Sequence, residues 1–425
     1  MFVVHLYRGN IIYTPACGAV AANEHGIVAV EDGRVKGVFD RIPSAYEGAP
    51  VTDYGDKIII PGFCDIHLHA GQLPNMGIGY DCELIDWIGK YAYQVEQSMN
   101  ALGFAHRCYA KLISDLWLNG ITRSVVLGTY YRQTNDLLFQ MFMKSGLSAY
   151  IGKSVCDRSP TGVADETTEN AKQDLLMLAD TYKDQKGLVR HILSPTYVPG
   201  CTPEIMEFIG HLAQEYDLPV TSHLCENRTE VQEVHRLHPE APDYASVYRE
   251  YGLLGQKTTI MAHCIHTTGH EAELLRDCGV YVAHCPHSNL NLSSGVMPLR
   301  KYLNMGIRVG LGSDISAGHT LNMMSTMVAA IQGSKMRWMI NPQEESVTTR
   351  EALYLATKGG GSVFGKVGSF EEGYEFDALV IDDGNLYDFT DRTLWERVER
   401  FIFRGDDRNI VARYVSGSEV ARPQL

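Results

Sequence analysis

Two histidines one residue apart, His67 and His69 in PGFCDIHLHAGQ, follow directly on the apolar run KIIIPGF. Residues two apart on a strand point to the same side. The pair can hold one metal ion, or it can be two ordinary surface imidazoles, and an isolated H-x-H does not choose. Other short apolar runs also end in chemistry: His223 closes LPVTSH, His263 closes TTIMAH, His284 closes GVYVAH and Asp314 closes IRVGLGSD. Imidazole nitrogens with one carboxylate suit Zn2+, with Fe2+ as the alternative. His67, His69, His223 and Asp314 form the candidate shell, leaving room for a solvent molecule. Bound zinc lowers the pKa of water to about 7 and so yields a nucleophile at neutral pH. Glu226, three residues after His223 in SHLCEN, is the candidate proton shuttle, its alternative being an exposed loop carboxylate. His263 is either a ligand or, preferred here, a base that orients the water. Asp314 can both ligate and accept the water's proton, and His284, followed by CPHSN, is the candidate structural histidine.

These groups have to be positioned by the elements that carry them. Eight short apolar runs of the buried parallel type recur: KIIIPGFCDIH, ITRSVVLGTY, SAYIGKSVCD, LVRHILSPTY, LPVTSH, TTIMAH, GVYVAH and IRVGLGSD. Segments of helical period lie between most of them, such as NDLLFQMFMKSG and PEIMEFIGHLAQEYD. Thr202 is the expected N-cap of the second, with Pro203 at its first position and Glu204 at the positive dipole end. Eight strands alternating with helices over about 250 residues predict an α/β fold, a (β/α)8 TIM-like barrel, whose catalytic groups gather at the C-terminal strand ends. The first sixty residues are strand-like, with a hairpin turn at Asp32-Gly33 and no convincing helix. Short strands and glycine turns return in KVGSFEEGYEFDALVIDD. The expected division is 1–58 and 366–425 as a small β-sandwich domain built from both termini, and 59–365 as the barrel.

Composition removes several function classes. The 425 residues are 45% hydrophobic, enough for a large core, and carry a net charge of −14 with no Lys/Arg run. Such a chain lacks the cationic footprint of nucleic-acid binding and is not drawn to anionic membranes. No apolar run approaches a membrane span. The N-terminal MFVVHLYRGNIIYTP is a poor signal peptide, since it has no basic start and is broken by His5 and Arg8. Ten cysteines without a C-x-x-C pair point to reduced thiols and a cytoplasmic protein. Rival motifs fail as well. HEAEL at His270 is one residue short of H-E-x-x-H, and HPE at His238 has no P-C-x-x-C partner. Strand four ends in Thr196-Tyr197 without a lysine that could bridge two metals, so one metal per chain is expected.

With these motifs in view, the chain resembles the amidohydrolase superfamily over nearly its whole length, and within it the guanine-deaminase branch. PGFCDIHLHAGQ, GIGYDCELIDWIGKY, SHLCENRTEV, MAHCIH, HCPHSNLNLSSG, LGSDISAGH and GSFEEGYEFDALVID carry the likeness. The resemblance implies zinc on His67, His69, His223 and Asp314, a proton shuttle at Glu226, and water handled by His263 and Asp314. It also implies substrate contacts from Gln72, Trp87, Thr196 and Tyr197, and a homodimer. The implied reaction is hydrolytic deamination of an amino-substituted purine, guanine to xanthine and ammonia, or of a related heterocycle such as a thiopurine, pterin or s-triazine. A non-catalytic scaffold is the rival of a different class. One departure stands out: that branch usually carries Pro-Arg-Phe at the end of strand four, where this chain reads Pro195-Thr196-Tyr197. An uncharged hydroxyl in place of a guanidinium removes a charge-assisted hydrogen bond of roughly 1.5–3 kcal/mol.

Overall fold

Gly62 is where one apolar run becomes two strands in two different sheets. In the computed structural model, which describes residues 4–158, 166–183, 187–387 and 389–425, KIIIP ends a strand Val51–Pro61, and a new strand, Phe63–His69, begins after the glycine. The Gly62 amide donates to the Asp377 carbonyl at 3.0 Å, whereas the next amide, Phe63, donates to Gly120 at 3.1 Å. A Cβ on Gly62 would lie 2.4 Å from Thr122 Oγ1, so no other residue fits the crossover. The run expected as a single first strand is therefore shared, because hydrophobicity is continuous where the hydrogen-bond partners change. The terminal sheet keeps the chain as far as Pro61.

The terminal sheet has seven strands from both ends of the chain, and the central strand Val51–Pro61 pairs parallel with His5–Tyr13 and antiparallel with Ala378–Ile381. Phe2 and Val3, expected in the first strand, lie outside the described residues. Asp32 and Gly33 turn the hairpin between Ala21–Glu31 and Arg34–Phe39 with φ of 50° and 75°, as expected of a tight turn of this kind. The sheet curls back on itself: Val35 N donates to Tyr374 O and Phe376 N to Gly33 O, both at 2.8 Å. Tyr7, Phe376 and Tyr414 pack together in the small core this creates. One helix was not foreseen. Leu394–Arg404 lies in the region expected to be β, capped by Thr393 and Glu396, with Leu394, Val398, Phe401 and Ile402 buried. Its T-x-x-E start and its 3–4 residue apolar spacing carry the signal for it.

Between the two halves of that sheet run two four-stranded parallel sheets, each strand placed where an apolar run predicts one. The first contains Phe63–His69, Ile121–Leu127, Ser148–Gly152 and Val189–His191. The second contains Val220–Leu224, Thr259–His263, Tyr281–His284 and Arg308–Leu311. Leu193 bridges Val220 in parallel, and at the other side Asp314 N donates to His67 O at 2.9 Å. Helices including Arg132–Ser145 and Pro203–Glu215 connect the strands, and Thr202 caps the latter through Ile205 N, as expected. Between the two parallel sheets, Ile66, Val125, Ile192, Ile260, Ala283 and Phe364 form an apolar plug. The polar groups sit above this floor.

Candidate active site

Strict alternation would send His67 away from the interior, since Cys64 and Ile66 already face the plug. The pairing with Ile121–Leu127 slips between Asp65 and Leu68, and the slip re-phases the strand. Leu68 then joins the outer core, while His67 and His69 turn inward with ring centres 5.1 Å apart. Asp65 supports the irregular stretch by accepting from Ser313 N at 2.9 Å and His67 N at 3.3 Å. Two other site residues leave their strands in the left-handed region, His263 at φ 70° and Asp314 at φ 51°. Such conformations are uncommon for residues with a Cβ and concentrate at functional sites.

The donor atoms converge. His69 Nε2 and His223 Nε2 lie 3.2 Å apart, and Asp314 Oδ1 is 3.4 Å from His67 Nε2 and 3.5 Å from His69 Nε2. Ligand atoms about 2.0–2.2 Å from a tetrahedral centre stand roughly 3.3–3.6 Å from one another, so this spacing fits one small cation. His67 Nε2 is buried and has no hydrogen-bond partner, an arrangement that is costly for a polar atom unless an ion or water satisfies it. His263 stands at the rim of the same group, with Nε2 3.4 Å from Glu226 Oε2 and 3.8 Å from Asp314 Oδ2. Cys285 also lies within reach of His263 and Asp314, but burial raises its thiol well above the usual range and keeps it a neutral, poor ligand.

Second partners fix which nitrogen faces the centre. His223 Nδ1 lies 2.6 Å from the Thr196 carbonyl, which can only accept, so the proton sits on Nδ1 and Nε2 offers a lone pair. The Asn289 side-chain oxygen, 2.8 Å from His263 Nδ1, does the same for that ring. Burial, then the neighbouring imidazoles, pull His69 down to about 3 and His223 well below its ordinary value. Burial holds His263 at about 4. These rings are neutral at pH 7, the form a metal needs. Burial would lift Asp314, yet the surrounding imidazoles of His67, His263 and His69 bring it far below the carboxylate range. Glu226 is the opposite case: burial first, then the charges of Asp314 and Glu230, raise it well above the ordinary value. An ionised acceptor and a protonated donor thus face one another across His263.

A cavity of about 880 Å3, counting the space open to solvent, lies over these groups. Gln72, Trp87, Thr196 and Tyr197 all line it together with His69, His223, Glu226, His263 and Asp314. Trp87 is held by its indole N–H donating to Ile78 O at 3.0 Å. No lysine or arginine is among the described lining residues. His284 is buried but stands outside the groups able to share an ion. Three participants escaped the sequence reading. Asn289 orients His263. Glu230 accepts from the amides of Glu226 and Asn227 at 2.8 and 3.1 Å and from Tyr244 OH at 2.7 Å. Glu96 accepts from Gln72. Only Glu230 had a local signal, the N-x-x-E capping pattern at Asn227.

The amidohydrolase family model matches residues 58–420. A guanine deaminase of Dictyostelium discoideum is 33% identical, with 98% of each chain covered. One from Escherichia coli is 32% identical, covering 93% of this chain and 90% of that one. Among solved structures, a guanine deaminase from C. acetobutylicum with guanine bound in its active site superposes with a TM-score of 0.96 at 44% identity, covering 98% of this chain and all of that one.

Proposed function

The chain belongs to the amidohydrolase family, and we propose that within it the protein is a hydrolytic deaminase that converts guanine and water to xanthine and ammonia. The observation that carries this reading is the convergence of His67, His69, His223, Asp314, Glu226 and His263 on the floor of one cavity lined by Gln72, Trp87, Thr196 and Tyr197. On the same reading the two parallel sheets are halves of one closed (β/α)8 barrel, running from Gly62 to about residue 365. The curled terminal sheet then acts as a β-sandwich made of the remaining residues at both ends.

His67, His69, His223 and Asp314 would hold one Zn2+ per chain, with Fe2+ as the alternative; nitrogen and carboxylate donors at this spacing suit either. When bound, the cation supplies Lewis acidity that lets water ionise near neutral pH. Everything else falls to the chain. Asp314, held ionised, and His263, held neutral with Nε2 free, take the proton from the water that adds to the amino-bearing carbon. Glu226 gives its proton to the adjacent ring nitrogen and recovers one from the added hydroxyl as that becomes C=O, while the single proton first taken from the water leaves with the amine as ammonia when the C–N bond breaks. The new C=O and a ring N–H remain on the product. Trp87, Leu84 and Tyr197 supply apolar surface for a flat ring, and the hydroxyls of Thr196 and Tyr197 are the available donors for a ring carbonyl.

A second reading, the same chemistry on another aminoheterocycle, is favoured by Thr196 and by the lack of a cation among the described lining residues. A panel of ammonia-release assays over guanine, thioguanine, isoguanine, pterins, adenine and cytosine separates the two. Guanine is expected to lead in kcat/KM by about ten-fold or more, the range of one charged or two neutral hydrogen bonds. A different leader would retain the deaminase and remove guanine, whereas no ammonia from any would remove both. Ten free cysteines support a reducing, cytoplasmic setting. Among the described residues no helix is long and apolar enough to cross a membrane. The homodimer rests on the family likeness, and sedimentation would test it.

A further inference from the structure

Gln72 and Glu96 share a wall of the cavity, Gln72 on the turn after the strand that carries His67 and His69, and Glu96 on the helix Tyr93–Ser98. Gln72 Nε2 donates to Glu96 Oε1 at 3.1 Å. A carboxylate oxygen accepts here, so the end of the amide that faces Glu96 has to be the NH2. The other end, Gln72 Oε1, has no donor among the described residues, and it is not sealed among the buried atoms that lack a partner. It therefore opens into the cavity. Glu96 is well placed to hold this arrangement. It is only 3% exposed, and its stem packs by Gly71, where a Cβ would come 3.8 Å from Glu96 Cγ. Asn75 Nδ2, donating to Tyr91 O at 2.6 Å, ties the Gln72 turn to the same helical segment.

We propose that Glu96 is a positioning residue for substrate recognition: it locks the Gln72 amide with Oε1 presented to the cavity as an acceptor for a ring N–H. This rests on the guanine reading above, and it says what that reading needs. An amide that could flip would present an NH2 as readily as an oxygen, and a donor set against a ring N–H repels it. Fixing the amide thus selects rings that carry a donor at that edge and rejects isosteres that carry a bare nitrogen there. Glu96 does this without touching the reacting atoms, so its effect should fall on KM and pass through Gln72.

A double-mutant cycle on the metal-loaded enzyme reads that coupling. Glu96→Met keeps the side-chain volume and removes the acceptor, and it is expected to raise KM for guanine by roughly five- to ten-fold, the value of one hydrogen bond, with a smaller change in kcat. Glu96→Gln retains an amide oxygen for the Gln72 N–H and should recover most of the loss. In a Gln72→Ala background, Glu96→Met should have less than about a two-fold further effect. Additive losses would mean that Glu96 meets the substrate itself, and an unchanged KM would mean that it only supports the fold; either result overturns the proposal. If Glu96→Met does not fold, Gln72→Met alone decides, because an unmoved KM for guanine removes the acceptor role. Absence of guanine turnover in the wild type would defeat the functional reading first, whereas turnover with these variants silent defeats only the role of Glu96.

Discussion

Glu226 Oε2 lies 3.4 Å from His263 Nε2, and its second oxygen accepts from Ser294 Oγ at 3.5 Å, at the outer limit of a hydrogen bond. Its backbone, by contrast, is anchored by Glu230. The group is fixed in place, and burial, then the charges of Asp314 and Glu230, push its carboxyl towards the protonated form a proton donor requires. Glu226→Gln should bind metal normally and lose at least about a hundred-fold in kcat, the range for a general acid/base. Turnover within a few-fold of wild type, at equal metal content, would return Glu226 to a structural role. Thr196 poses a different question. Its main-chain oxygen holds His223, and its hydroxyl is buried without a partner on the cavity wall. Because the main chain orients His223, Thr196→Arg should leave metal stoichiometry intact. With the Thr196 and Tyr197 hydroxyls already able to meet the ring carbonyl, it should raise guanine kcat/KM by less than about two-fold or lower it. A gain of roughly ten-fold or more, the value of a charged hydrogen bond, would show that the pocket lacks a cation it needs.

At the scale of single elements, the short strand Val189–His191 carries an uncompensated imidazole. His191 is buried against Phe139, with neither ring nitrogen hydrogen-bonded, and burial pulls it down to about 4. Its pKa is thus lower folded than unfolded, where it is about 6.5. The unfolded chain binds the extra proton between those values, so stability is intact above about pH 6.5 and falls as pH drops towards 4. His191→Leu removes that proton site. Relative to wild type, the variant should gain up to roughly 3 kcal/mol between pH 7 and pH 4, from a shift of two to three units at 1.36 kcal/mol each. Urea unfolding at the two pH values measures it, and a gap that does not widen in acid would place the titration elsewhere. The helix Leu394–Arg404 illustrates legibility at this scale: its cap and spacing were present in the sequence, but the strands on either side favoured a β reading.

At the scale of the whole molecule, a buried guanidinium ties the first parallel sheet to the terminal sheet. Arg123, on the second parallel strand and fully buried, donates to Asp377 at 2.6 and 2.9 Å, to Glu375 at 2.7 Å and to Ser416 at 2.9 Å, all in the terminal sheet region. Removing one partner of such a group leaves uncompensated charge in a dry place, which costs about 3–5 kcal/mol. Arg123→Met should lower the urea midpoint accordingly while leaving kcat at 25 °C close to wild type, since the cluster lies away from the cavity. A stability change below about 1 kcal/mol would mean that the two units hold together without it. Metal removal acts on the same scale. Chelation should lower Tm, because a ligand bound only by the folded state stabilises it by RT ln(1 + [L]/Kd), and one equivalent of Zn2+ should restore it. A need for two equivalents would refute the mononuclear site.

What the sequence determined by itself is local: eight buried strands, the polar residue that ends each, the Asp32-Gly33 turn and the Thr202 cap all follow from periods of two and 3.6 and from single-residue chemistry. Strand ends gather at one mouth in such an architecture, so His67, His69, His223, His263 and Asp314 could be grouped before any distance was known. Tertiary structure decided the rest, because it depends on which backbones pair and which side chains meet. Pairing moved the start of the first parallel strand past Gly62, and a slip in register between Asp65 and Leu68 turned His67 and His69 towards the interior. Glu96 and Asn289 reached the site from other elements, 24 residues from Gln72 and 26 from His263. No sequence period reports contacts of that kind, since a hydrogen bond between distant side chains exists only once the elements carrying them have packed.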